Sequence, residues 1–109
     1  MNRHIIPCSE EQIRKAVGLG APIREVMHYE FKIEYQEVTA EQMIGWLEDQ
    51  EEIHEVEITT AYDEYGKGWC YCIFNKERCN VNFNRDYPSR IDATLAAIDA
   101  ALEYLENNK

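Results

Sequence analysis

The chain alternates between two hydrophobic periods, and each stretch of a single period marks an element. Ile13, Ala16 and Val17 recur at helical spacing just after Ser9, Glu10, Glu11 and Gln12. Ser9 and Gln12 have the spacing of a capping box, in which the Ser hydroxyl accepts the Gln amide and the Gln side chain reaches back. Gly18 and Gly20 can close such a helix in a left-handed turn, so a short helix is predicted over 10–17. Tyr29, Phe31, Ile33 and Tyr35 alternate with Glu30, Lys32, Glu34 and Gln36, the period of one half-buried strand. Residues 21–27, before it, are ambiguous. Thr39 and Gln42 form a second capping box, and Val38 and Met43 have the spacing of a hydrophobic staple. Met43, Ile44, Trp46 and Leu47 then form the apolar stripe of a helix over 40–51.

Val56, Ile58 and Thr60 alternate with Glu55, Glu57 and Thr59, which predicts a second strand. A turn at 63–68 leads into strands at 69–75 and 79–84, joined by a hairpin loop of Asn75, Lys76, Glu77 and Arg78. Ser89 opens a last helix, whose Ile91, Leu95, Ile98, Leu102 and Leu105 recur at steps of four and three. Its alanines give helix propensity and allow close packing. The resulting order is α-β-α-β-β-β-α. It implies an α+β fold with a mainly antiparallel sheet and helices on one face. Residues 1–109 read as one domain, with an α-β-β-β-α core at 39–106 and an N-terminal helix and edge strand in 1–38.

A four-residue hairpin loop pairs Phe74 with Cys79, Cys72 with Val81 and Cys70 with Phe83. Side chains alternate between faces along a strand. One face then carries Cys70, Cys72, Phe74, Cys79, Val81 and Phe83, the expected core side. The other carries Trp69, Tyr71, Ile73, Asn80, Asn82 and Asn84, a mixed surface suited to partial cover or a partner. Trp69, Tyr71, Asn80 and Asn82 are candidate contacts.

Charge changes this picture more than composition does. At 109 residues and 45% hydrophobic, with a formal charge of −10, the chain holds enough apolar residues for one modest core. Residues 33–66 contain eleven acids and no Lys or Arg, whereas 67–90 carry five bases and two acids. A phosphate-gripping surface needs clustered cations, so the acidity argues against nucleic acid. An RNA reading would have to rest on Lys76, Arg78, Arg85 and Arg90. The acidic segment, with Glu48, Glu52, Glu55 and Glu57, instead suits a basic protein partner, although acidity also serves solubility. No apolar run has the length of a membrane span or signal peptide, so a cytoplasmic location is expected. An edge strand at 29–35 leaves a homodimer open.

Catalytic motifs are absent: there is no nucleophile elbow, phosphate loop, dinucleotide fingerprint or HExxH. Cys70, Cys72 and Cys79 invite a metal reading. Their spacing departs from a CxxC knuckle, and buried thiols commonly serve as small core hydrophobes. The paired Glu51/His54 and Glu25/His28 spacings lack the four long helices a di-iron site requires. No cofactor is implied. The residues point to a non-enzymatic binding protein, with a small metal-binding or enzymatic protein and an atypical RNA-binding domain as alternatives.

Two resemblances add context. From 39 to 106 the element order, and the alanine-rich helix that follows Ser89, resemble a double-stranded-RNA-binding domain. That family's lysine-rich helix start is here reduced to Arg90 followed by Asp92. The run from Val38 to Leu47 with its Trp46-Leu47 pair, the Gly68-Trp69 strand start, and the Ala-Ala-Leu terminal helix resemble small uncharacterised α/β-sandwich proteins of bacteriophages and gut-bacterial mobile elements. This resemblance implies a short, cytoplasmic accessory protein and brings no catalytic residues. The sharper forms of the binding-protein reading are a phage counter-defence factor or an immunity protein against a basic toxin.

Overall fold

A computed structural model describes residues 5–30, 32–63 and 66–108; the side chains of Tyr29, Ala61, Tyr62, Asp63 and Lys67 are not among what it describes. The expected turn at 63–68, and the inward alternation of Tyr29 and Phe31, lie partly outside the described residues. The elements are α1 (Glu10–Gly18), β1 (Glu25–Tyr29), β2 (Lys32–Tyr35), α2 (Ala40–Glu48), β3 (Glu55–Asp63), β4 (Gly66–Phe74), β5 (Asn80–Tyr87) and α3 (Arg90–Asn107). The fold is α+β, with two antiparallel sheets in the order β1-β2 and β3-β4-β5.

The helix starts follow from local chemistry. Ser9 Oγ accepts the Gln12 amide at 3.1 Å, and Gln12 Oε1 accepts the Ser9 amide at 3.0 Å. Thr39 and Gln42 repeat both bonds at 3.2 and 3.0 Å. Ser89 Oγ accepts the Asp92 amide at 3.1 Å and donates to its carboxylate at 2.9 Å. Val38 and Met43, the expected staple, are both buried. Helix α2 stops at Glu48, short of the expected 51: Asp49 caps it, and the Gln50 side chain folds back to donate to Trp46 O at 2.9 Å.

The expected single strand at 29–36 is the return arm of a hairpin. β1 pairs with β2 through Glu25↔Tyr35, His28↔Ile33 and Tyr29↔Lys32. The alternation gives no warning, because Glu30 is not one of the Gly, Asn or Asp residues that mark tight hairpins. Nor does this strand extend the main sheet as an edge: β1 and β2 form a sheet of their own. Two bonds close the hairpin at its base and a third ties it to α1. Gln36 N–H donates to Arg24 O at 2.9 Å, Arg24 N–H donates to Gln36 Oε1 at 2.8 Å, and Arg14 of α1 donates to Ile33 O at 3.0 Å.

Helices α2 and α3 cover one face of β3-β4-β5. Met43 and Leu47 of α2, Ile98, Leu102 and Leu105 of α3, and Val56, Tyr71 and Ile73 of the sheet form the core. Fully burying each large aliphatic side chain contributes about 1.5–3 kcal/mol. Ile53, in the α2–β3 connection, is also fully buried, although no period marks it. The α3 stripe is rotated from expectation. Ala93, Ala97 and Ala101 are fully buried, whereas Ile91 is 47% exposed and Leu95 only half-buried. The buried alanines widen the apolar face of the helix and allow close packing.

The register of β4 and β5 also differs. Phe74 pairs with Asn80, Ile73 with Asn82, Cys72 with Phe83 and Tyr71 with Asn84. The connection runs from Asn75 to Cys79, one residue longer than expected. Asn75 Oδ1 accepts the amides of Glu77 and Cys79, and Arg78 stands at φ 63°. The main register moves by two positions, so the same residues share a face as expected: Cys72 with Phe83, and Tyr71 and Ile73 with Asn84 and Asn82. What differs is which face the helices cover. Tyr71 and Ile73 lie under them, and the Cys72 and Phe83 face, expected to be the core side, is the open one. The ladder is irregular at both ends, between Ile73 and Phe74 and between Trp69 and Tyr71, with Asp86 at φ 75° beside the latter.

Candidate protein-binding surface

The helix-free face of the sheet takes its side chains from alternate positions of three strands. β3 supplies Glu55, Glu57 and Thr59, all exposed. Register places Glu55 beside Phe74, Glu57 beside Cys72 and Thr59 beside Cys70. On the far side Cys72 meets Phe83, which is 50% exposed. The surface is thus an apolar strip of Cys72, Phe74 and Phe83 with an acidic border along β3. The Cys72 thiol is pushed up by burial, and further by Cys70 and Glu57, as expected for groups sharing one face.

The four acids singled out in the sequence do not act together. Glu48 is half-buried, and its Oε2 accepts the Val56 amide at 2.9 Å; it secures the start of β3. Glu52 is half-buried in the α2–β3 connection, and only Glu55 and Glu57 stand exposed on the strand. The candidate aromatic and asparagine face does not hold as one surface. Tyr71 is 5% exposed, and its hydroxyl donates to Asn82 Oδ1 at 3.0 Å. Trp69 is half-buried and paired with Tyr87, and Asn80 pairs with Phe74 on the other side. The cause is that the helices cover this face, and the irregularity between Ile73 and Phe74 moves Asn80 off it. Phe83 stands exposed because the face expected to be the core side is the open one.

The cysteines are dispersed. Cys70 is buried, Cys72 half-buried on the open face and Cys79 exposed in the loop, rather than on the expected core side. Among the described residues no group of three or more His, Cys, Asp or Glu side chains comes close enough to hold a metal. The cations are split as well. Lys76 and Arg78 occupy one end of β5 and Arg85 the other, about 20 Å away along an extended strand. Arg85 lies 3.3 Å from Asp86.

A cavity of about 320 Å³ lies between the start of α1 and the β2–α2 connection, lined by Cys8, Glu10, Ile13, Lys32, Glu34 and Tyr35 among others. Glu10 is bound by Arg14 at 2.8 Å, and Lys32 lies 3.6 Å from Glu34. Burial, with a smaller contribution from Asp99, pushes the Cys8 thiol up to about 11. That thiol is the reverse of an activated nucleophile. No helix among the described residues is long and apolar enough to cross a membrane.

The chain matches no protein-family model, no curated protein and no solved structure.

Proposed function

We propose that this is a non-enzymatic binding protein whose partner is a basic protein, docked on the helix-free face of the sheet. One observation carries the reading: exposed Glu55 and Glu57 border an apolar strip that ends in half-exposed Phe83. Apolar contacts bordered by charge are the usual anatomy of a protein interface. A field of one sign speeds the encounter with an oppositely charged partner. The acidity of 33–66 extends that field beyond the contact residues. An accessory role in the cytoplasm, as an immunity or counter-defence factor against a basic protein, is the sharper form of the same reading.

The test is a pull-down from the organism that carries the protein, using wild type and a Glu52→Gln/Glu55→Gln/Glu57→Gln variant. Glu48 is left intact because it holds Val56. A basic protein captured by wild type, released by salt and lost with the variant, is the expected result. Equal behaviour of both forms, or capture of nothing, removes the reading.

A further inference from the structure

The edge of β3 offers more than its side chains. Among the described residues β3 pairs only with β4, along nine consecutive positions with no bulge. Natural sheets guard long edges with charged side chains, above all lysine, with proline or with a bulge. Residues 55–63 have no lysine, proline or bulge, and their only charges are the acids Glu55, Glu57 and Asp63, which leave the edge open to a basic strand. The direction of the unpaired groups can be read from one bond. Val56 N–H donates to Glu48 Oε2 and so points away from β4. In an antiparallel ladder the inward and outward residues alternate. Glu57 and Thr59 therefore bond to β4, while Ile58 and Thr60 turn both backbone groups to the open side. The Glu48 carboxylate fills the first outward position, and no described residue fills the next two.

We infer that β3 binds its partner by strand addition, taking an extended basic segment along Ile58 and Thr60. The inference rests on the basic-partner reading above and specifies its geometry. Backbone pairing supplies affinity in this mode, and alternate side chains supply selectivity. Alternate residues of the added strand fall beside Glu55, Glu57 and Thr59, where Lys or Arg is favoured and an acid is repelled. A second copy of this chain brings its own acidic β3 and a net charge of −10, so the edge selects against itself.

The experiment is amide hydrogen exchange and chemical-shift mapping on the full chain. The probe is an extended peptide of alternating lysine and valine, with an alternating glutamate and valine peptide as control. The expected result is about tenfold or greater protection of the Ile58 and Thr60 amides by the lysine peptide. Glu57 and Thr59 stay unchanged, the control peptide has no effect, and Glu55→Gln/Glu57→Gln weakens binding about three- to tenfold. Shifts confined to Cys72, Phe74 and Phe83, without protection at Ile58 and Thr60, overturn strand addition while leaving a basic partner in place. Equal binding of both peptides overturns the charge selectivity. Protection that grows with protein concentration alone assigns the edge to a second copy and overturns the proposal. Failure of the lysine peptide with a protein that does capture a basic partner in the pull-down overturns strand addition alone.

Discussion

Gln12 joins the first helix to the last: its Nε2 donates to Asp99 Oδ1 and to Leu95 O, both at 2.9 Å. The same side chain closes the α1 capping box through Oε1. One 3%-exposed amide therefore has its oxygen and both its protons engaged. This bridges 87 positions of sequence and explains why α1 docks on α3.

Gln12→Ala is expected to cost about 1–3 kcal/mol, and Gln12→Glu about 3 kcal/mol or more. The carboxylate would face a carbonyl and a second carboxylate. That pair favours protonation of the new carboxyl in the folded state, so the deficit shrinks as pH falls toward about 4. Urea unfolding at neutral and acid pH measures both effects. Gln42→Ala removes the exposed counterpart and costs only about 0.5–1 kcal/mol. Equal losses at the two sites would show that the bridge to α3 adds nothing.

Among the described residues, two non-glycine positions hold left-handed backbones, Arg78 at φ 63° and Asp86 at φ 75°. An L-residue pays about 1–2 kcal/mol there and glycine does not, with part of the gain offset by the greater freedom of unfolded glycine. Arg78→Gly and Asp86→Gly are each expected to raise stability by about 0.5–1 kcal/mol. Arg78→Val should lower it. The readout is the urea midpoint at constant m-value.

Tyr71 is pushed up to about 12 by burial, with Tyr87 the next contributor. The folded state therefore holds this proton where the unfolded chain, near pH 10, releases it. The stabilisation is complete below about pH 10 and fades as pH rises toward 12. Tyr71→Phe should flatten the stability curve over that window. It also loses the bond to Asn82, so its stability at neutral pH falls. An unchanged alkaline slope would refute the assignment.

The four thiols differ in access. Cys79 is exposed, Cys8 and Cys72 are half-buried with raised pKa values, and Cys70 is buried. The thiolate is the reacting form. Brief alkylation near about pH 8, followed by peptide mass spectrometry, should modify Cys79 first and Cys70 last.

What is legible in the sequence divides by range. The three helix starts are written in residues three apart, and all three caps form as read. The helix-side core of β3 follows from its alternation. The alternation of β4 and β5 sorts most of their residues into the right two sets, but which set meets the helices is a tertiary choice. The all-apolar set with Cys72 and Phe83 reads as core, whereas Tyr71 and Ile73 are the residues buried under α2 and α3. The sheet's open surface is consequently misassigned while its strands are found. Glu48 shows the same limit: nothing near it in sequence reveals that the Val56 amide will claim its carboxylate. The acidic segment is visible as composition; which acids reach the surface is decided by the fold.

The β1–β2 hairpin stands apart from the main sheet; Arg24 and Gln36 close it on itself, and Arg14 of α1 ties it to the rest through Ile33 O and the Tyr35 ring. A two-stranded ribbon alone is marginal in water. Its amides should exchange through local opening while α3 and β4 exchange only on global unfolding. Two unfolding steps of unequal size are therefore expected, and a calorimetric trace fitted to a single transition would then understate the stability of the larger one.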